Sequence, residues 1–137
     1  MTTIVTDAGF GPDTWTGGFT AFGAANDAEA LDVPSDVDPQ DIPLCDSLQM
    51  VRVDFPSSAD GRGFTIARAL RLRGYTGRLR ARGHVLADQY AMARRSGFDE
   101  VEIDSALAER QPQDQWLFRA DWQSHDYQSR LRGQPTG

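Results

Sequence analysis

The fold of this chain is decided by residues 50–73, where a strand pattern passes through a polar loop into a helix pattern. The stretch reads Met50-Val51-Arg52-Val53-Asp54-Phe55, then Pro56-Ser57-Ser58-Ala59-Asp60-Gly61-Arg62-Gly63, then Phe64-Thr65-Ile66-Ala67-Arg68-Ala69-Leu70-Arg71-Leu72-Arg73. Apolar residues alternate in the first part and recur with helical spacing in the third. We therefore expect a strand over 48–55 and a helix over 64–73 that ends at Gly74. The loop between them lies where α/β proteins often build sites.

The same alternation of strand and helix continues along the chain. The patterns predict strands over 78–82 and 100–104, with a helix over 85–96 between them. Ser105 is expected to cap a short helix over 106–110. Strands separated by helices at this spacing favour right-handed crossovers and a parallel sheet. The predicted fold class is therefore α/β, with a parallel βαβαβ core that resembles a partial (β/α) barrel.

The segments before this core are less regular. Residues 1–27 are rich in glycine, threonine and aromatic residues, and we expect an irregular segment or hairpin that caps the core. Residues 28–33 could form a short strand. Prolines punctuate the acidic stretch 34–43, which predicts a loop with one helical turn.

At the other end, the pattern allows a fourth strand over 116–122. Residues 125–137 are polar and are expected to form a loose tail. A chain of 137 residues is long enough for one domain with its own core. We therefore predict a single α/β domain over 1–137, with its core at 28–124.

Composition limits the classes of function. Cys45 is the only cysteine, so an internal disulfide and a cysteine-based cluster within one chain are excluded. No apolar run approaches the roughly 20 residues that cross a bilayer. The first residues lack the basic start and apolar core of a signal peptide. These features predict a cytoplasmic protein with no membrane partner.

Charge is unevenly distributed. Residues 1–50 contain nine acidic residues and no basic one, while the remainder holds all fourteen basic residues, every one an arginine. The absence of lysine excludes a lysine Schiff base or a lysine general base. The net charge of −6, with arginines interleaved among acids, argues against nucleic-acid binding.

The predicted strands carry charge on one face. In the second strand Leu79 and Ala81 share one face, and Arg78, Arg80 and Arg82 share the other. The first and third strands alternate in the same way. One interpretation is a solvated face with cross-strand ion pairs. The other is the concave wall of a half-barrel, or a partner surface, with its polar groups near the strand ends.

The polar loop after the first strand precedes a helix N-terminus, where free amides and the helix dipole favour an anion. Its candidate ligand residues are Ser57, Ser58, Asp60, Gly61, Arg62 and Gly63. The loop matches neither a Walker motif nor a dinucleotide fingerprint. The structural alternative is that Asp60 caps the helix while the glycines form the turn.

Further candidates lie at the strand ends and the next helix start. Asp54 ends the first strand, and it either serves a site or pairs with Arg80 in the next strand. His84 is either the N-cap of the second helix or a ligand-facing imidazole. The remaining candidates are Arg80, Arg82, Asp88, Gln89 and Glu102. The chain has only two histidines, which argues against a multi-histidine metal site.

Five segments follow one another in register: Asp54-Phe55-Pro56, Asp60-Gly61-Arg62-Gly63-Phe64, Gly74-Tyr75-Thr76-Gly77-Arg78-Leu79-Arg80-Ala81, Val85-Leu86-Ala87-Asp88-Gln89 and Arg95-Ser96-Gly97-Phe98-Asp99. This series resembles a bacterial family of unknown function that typically sits beside the sulfite reductase haemoprotein in sulfur-assimilation operons. The resemblance covers about residues 28–104. It implies an oxidoreductase component or electron-transfer partner in sulfite reduction. His84 departs from the acidic residue that is more frequent there.

The residues contain no cluster cysteines, haem-binding motif or dinucleotide fingerprint, so no cofactor is evident. Together with the resemblance, this favours an accessory protein that acts with sulfite reductase or its electron donor. A second hypothesis is a protein or enzyme that binds a small oxyanion at the strand ends. A third is a non-catalytic homodimeric interaction module.

Overall fold

The computed structural model describes residues 2–24 and 28–120. Its strands are β1 (Thr2–Thr6), β2 (Gly9–Gly11), β3 (Thr20–Ala21), β4 (Ala30–Val33), β5 (Met50–Phe55), β6 (Arg78–Gly83) and β7 (Glu100–Asp104). Its α-helices are α1 (Arg62–Leu72), α2 (Tyr90–Ser96), α3 (Ser105–Arg110) and α4 (Gln113–Leu117), and two 3-10 helices lie at Pro39–Asp41 and Ala87–Gln89.

Seven strands form one open, mixed sheet in the order β2-β1-β7-β6-β5-β4-β3. Strands β3 to β7 are parallel and neighbour one another in chain order. The hairpin of β1 and β2 adds to the far side, because β1 pairs antiparallel with β7. The predicted α/β class and parallel βαβαβ core are confirmed. The sheet is not a closed barrel.

The apolar face of the sheet carries the hydrophobic core. Val53, Ala81 and Val101 are fully buried there, alongside Leu70 of α1 and Tyr90 of α2. Right-handed crossovers between parallel strands that are neighbours in chain order place the connecting helices on one face. None of the described helices therefore covers the opposite face, which carries the charged side chains.

The second predicted helix begins later than expected. Residues 87–89 form a 3-10 helix, and α2 starts only at Tyr90. The side chain of Gln89 accepts a hydrogen bond from the Leu86 N–H at 2.8 Å, which fixes this tight turn. His84 is therefore not a helix N-cap, contrary to one of its two predicted roles.

The third predicted helix is confirmed, but its cap is not Ser105. The side chain of Asp104 accepts a hydrogen bond from the Leu107 N–H at 2.8 Å and so caps α3. Ser105 is instead the first residue of the helix. Asp104 occupies the cap position because β7 ends there in an extended conformation.

The predicted strand over 116–122 is wrong where the structure describes it. Trp116 and Leu117 end α4, and residues 118–120 form a turn. Trp116 is fully buried against the ring of Tyr90, which draws this segment onto the helix layer. Residues 121–122 and the predicted loose tail lie outside the described residues.

The predicted N-terminal hairpin is confirmed as β1 and β2, and the segment that follows it crosses the sheet. We call residues 12–19 the strap, since they join β2 at one edge to β3 at the other. The strap is not fully extended, because the Trp15 N–H donates to Oδ1 of Asp13 at 2.9 Å and Nε1 of Trp15 donates to the Gly18 carbonyl at 2.7 Å.

Candidate functional site: an arginine row and a pocket at the strand ends

The charged face contains a ladder of ion pairs between β4, β5, β6 and β7. Arg52 binds Asp32 through Nη2 and Oδ2 at 2.7 Å, and Glu102 through Nη1 and Oε1 at 3.1 Å. Arg80 binds Glu100 through Nε and Oε2 at 2.6 Å, and Glu102 through Nη1 and Oε1 at 2.9 Å. Glu102 is thus shared by two arginines. The predicted cross-strand ion pairs are confirmed.

The strap covers this ladder. Asp13 accepts hydrogen bonds from Nη2 and Nη1 of Arg80 at 2.9 and 3.1 Å. The ring of Phe19 lies 3.8 Å from the guanidinium carbon of Arg52, in cation–π contact. Arg80 is fully buried beneath these contacts. The interpretation of a solvated face is therefore wrong at its centre.

The electrostatic environment keeps Arg80 charged. Burial alone would lower the pKa of Arg80, but the bound carboxylates of Asp13, Glu100 and Glu102 outweigh it and raise that pKa. Hydrogen bonds from Arg80 in turn lower the pKa of Asp13. Each of the three guanidinium nitrogens of Arg80 donates to at least one of these carboxylates, so Arg80 is part of the scaffold.

The predicted pair between Asp54 and Arg80 is wrong. The parallel register places Arg52 beside Arg80 and Asp54 beside Arg82. Asp54 therefore lies beside Arg82, two residues closer to the carboxyl end of the sheet than Arg80.

At that end lies a cavity of about 270 Å³, which we call the carboxyl-edge pocket. It sits at the carboxyl ends of β5, β6 and β7, the usual ligand position of open parallel sheets. Its charged and ionisable lining consists of Asp54, Arg82, His84, Glu102, Asp104 and Arg110. Of these, four are among the candidates predicted from the sequence.

Two lining residues were not among the site candidates. The alternation along β7 predicted Asp104 on the charged face with Glu102, near the strand ends, but Asp104 was not counted as a ligand candidate. Arg110 reaches the pocket only because α3 folds back beside β7, and no local signal in the sequence predicts that.

The arginine row consists of Arg78, Arg80 and Arg82 on the charged face of β6, and only Arg82 of these lines the pocket. Arg82 is 45% exposed, and its nearest carboxylate oxygens are Oδ1 of Asp54 at 3.5 Å and Oε2 of Glu102 at 3.8 Å. Within residues 2–24 and 28–120, no side-chain hydrogen bond involves Arg82, His84 or Arg110. Among the described residues, the guanidinium groups of Arg82 and Arg110 and the imidazole of His84 thus line the pocket without a hydrogen-bonded side-chain partner.

Gly83 gives His84 its place at the pocket. Its φ of +117° lies in the left-handed region, and an added Cβ would approach the Phe55 carbonyl oxygen to 2.6 Å. The His84 N–H donates to that same oxygen at 3.0 Å. Only glycine lets the chain leave β6 at this angle without strain.

Comparison with known protein families identifies a match over residues 30–136, to the family described as bacterial protein of unknown function (DUF934). This match covers most of the chain. The chain belongs to the DUF934 family. No curated protein and no solved structure matches it. In this DUF934 member the matched segment contains β4 to β7 and nearly all of the pocket lining, whereas the strap precedes it.

The charged groups in the polar loop of this DUF934 protein form hydrogen bonds with each other and with Ser35. Arg62 donates to Asp60 from Nη2 at 2.8 Å and from Nε at 3.0 Å, and Ser35 Oγ donates to Asp60 at 3.0 Å. The hydrogen bonds from Arg62 hold the pKa of Asp60 well below its usual range. Asp60 also accepts the Arg62 backbone N–H at 3.1 Å, so it serves the start of α1, while Gly61 occupies the N-cap position.

The other predicted residues of this region have structural roles or stay exposed. Gly63 packs against Phe55, where an added Cβ would collide with the ring. Gln89 donates to the Ser58 carbonyl at 2.9 Å. The structure places none of these predicted residues in the lining of the carboxyl-edge pocket: Ser57, Ser58, Asp60, Gly61, Arg62, Gly63, Asp88 and Gln89.

Metal and membrane features were also sought in the described part of the chain. It contains no group of three or more His, Cys, Asp or Glu side chains placed to hold a metal ion. None of its helices has the length and apolar character that a membrane span requires. Cys45 is half-buried, with its Sγ 3.2 Å from the hydroxyl of Ser47.

Proposed function

We propose that this DUF934 protein binds a small oxyanion in the carboxyl-edge pocket. The observation that carries the proposal is the state of Arg82, whose guanidinium lines the cavity, makes no hydrogen bond among the described residues and has two long ion pairs, at 3.5 and 3.8 Å. A guanidinium fork matches the geometry of an oxyanion and binds it through two parallel hydrogen bonds. Arg110 and His84 offer further donors around the same cavity.

The three carboxylates in the pocket lining differ in how far other groups already engage them. Glu102 is bound by Arg52 and Arg80, so its charge is partly compensated, although both arginines also bind other carboxylates. One carboxylate oxygen of Asp104 accepts the hydrogen bond that caps α3. Asp54 is more loosely paired, with 39% of its side chain exposed. An anion beside Arg82 therefore meets two arginines, Arg82 and Arg110, and three carboxylates, of which Asp54 is the most loosely paired.

A thermal-shift screen with sulfite, sulfate, phosphate and sugar phosphates tests the proposal. For a dissociation constant near 1 mM, about 10 mM ligand stabilises by about 1.4 kcal/mol and raises Tm by several degrees. Arg82→Met should abolish the shift. Arg68→Met, at an exposed arginine of α1 outside the pocket, is the matched control. The absence of any shift in the native protein would refute oxyanion binding at this site.

The second candidate function is the one that the resemblance implies. In it the protein is an accessory or electron-transfer-associated component of assimilatory sulfite reduction in the cytoplasm. It acts with the sulfite reductase haemoprotein or its electron donor and carries no cofactor of its own. The observation that favours it is the motif series over residues 54–99, whose segments build β5, α1, β6 and the pocket wall. Sulfite is itself a small oxyanion, so both candidates are compatible.

Growth and binding experiments test this second candidate. A deletion strain should grow on cysteine but poorly on sulfate, and the purified chain should capture sulfite reductase in a pull-down. Normal growth on sulfate in a strain with no second copy of the gene would argue strongly against it. An absorption spectrum of the purified protein tests the cofactor statement, since a flavin or cluster band would contradict it.

A further inference from the structure

We infer that the ligand of the carboxyl-edge pocket is a small molecule with a hydrogen-bond donor next to its acid group, and that Asp54 receives this donor. The inference rests on the proposed oxyanion site at Arg82. It adds the chemical class of the ligand and a residue that determines specificity.

The placement of Asp54 beside Arg82 carries the first step. The two residues are partners in the register of β5 and β6, so their side chains leave the sheet on the same face. Oδ1 of Asp54 lies 3.5 Å from Nη1 of Arg82. Among the described residues, none donates a side-chain or backbone hydrogen bond to the Asp54 carboxylate.

The second step concerns what such a neighbour does to a ligand. An ionised carboxylate only accepts hydrogen bonds, and it has about four lone-pair sites. A bare oxyanion on Arg82 would therefore lie close to a like charge with nothing between them. A ligand that directs an ammonium or hydroxyl group at Asp54 replaces this repulsion by a charge-assisted hydrogen bond.

The third step is size. A volume of about 270 Å³ lies just under the range of roughly 300–1,000 Å³ that is typical of drug-sized ligands. The pocket accordingly has room for a molecule somewhat smaller than a typical drug. Small zwitterions and small hydroxy acids share the required chemistry, an acid group with a donor on the adjacent carbon.

Three ligands with one carbon skeleton test the inference by titration calorimetry: propionate, lactate and alanine. Propionate has the acid group alone, lactate adds a hydroxyl, and alanine adds an ammonium group. We expect lactate or alanine to bind the native protein about tenfold or more tightly than propionate, because a hydrogen bond to a charged group is lost without the donor. Preference for alanine alone would identify a zwitterion, and preference for both would include hydroxy acids.

The variant Asp54→Asn assigns the effect. Its amide oxygen still accepts a hydrogen bond but carries no charge, so the variant should reduce the preference for lactate and alanine. It should bind propionate at least as well as the native protein, which also shows that the variant is folded. Asp54→Ser provides a second variant of the same half-exposed position. Equal binding of all three ligands by the native protein would overturn the inference and leave the oxyanion site standing. So would a preference for lactate or alanine over propionate that is as large in Asp54→Asn as in the native protein. No binding of any of the three, nor of the anions in the thermal-shift screen, would overturn both.

Discussion

Replacing Arg80 by methionine is the sharpest test of the ion-pair ladder. Methionine keeps most of the length and the apolar stem but removes the guanidinium. Breaking a buried pair leaves an uncompensated charge and typically costs about 3–5 kcal/mol. Glu100 and Glu102 would each keep one arginine, Arg78 and Arg52. We therefore expect Arg80→Met to lower the free energy of unfolding by about 3 kcal/mol, at the low end of that range.

The control is Arg82→Met, two residues further along the same strand face. Its ion pairs are longer and its side chain is 45% exposed, so the loss should stay below about 1 kcal/mol. Urea unfolding followed by circular dichroism gives both values, provided the m-values agree with that of the native protein. If Arg80→Met costs no more than Arg82→Met, the ladder is not a stabilising network and the reasoning fails.

Three further substitutions have distinct expected outcomes. Asp13→Asn should have a lower free energy of unfolding than the native protein at neutral pH. Because Arg80 lowers the pKa of Asp13, this difference in unfolding free energy should become smaller below about pH 3.8. A difference that stays constant with pH would contradict this. Burial raises the pKa of Tyr75 to about 12, so native stability should fall as pH rises from 10 towards 12. Tyr75→Phe should reduce that fall in urea titrations at each pH, and an unchanged slope would count against it. Gly83→Ala should cost about 1–3 kcal/mol, because φ is +117° and the added Cβ meets a backbone oxygen of β5. Gly11→Ala, in open space, should cost far less.

The strands and their faces could be predicted because alternation is a local signal. In β6, Leu79 and Ala81 are fully buried while Arg78 and Arg82 are not, as the period of two requires. Pairing between strands was not accessible in the same way. Register depends on how the connecting helix and loops return the chain, and it set Asp54 beside Arg82 instead of Arg80.

No pattern in the sequence predicts that the strap lies over the charged face. Asp13 meets Arg80 across 67 residues of chain, and the strap that carries it has no strand or helix period. Burial of Arg80 could not be predicted either, because an arginine in an alternating strand normally indicates a solvated face.

The candidate site was half predictable. Strand ends identified Asp54, Arg82, His84 and Glu102, since parallel strands bring their carboxyl ends to one edge. The ligand role of the loop stays a prediction, and its residues lie outside the pocket lining because Asp60 and Arg62 are close enough in sequence to pair with each other.

The pairing of β1 with β7 has a consequence for the order of assembly. It joins Thr2 to Asp104, about one hundred positions apart, whereas the crossovers from β4 to β7 connect neighbours in chain order. Contacts between distant residues form more slowly than local ones. The parallel unit can therefore form first, and the hairpin and strap can dock only onto a finished β7 edge. During refolding, the environment of Trp15 on the strap should become native later than that of Trp116 in the core.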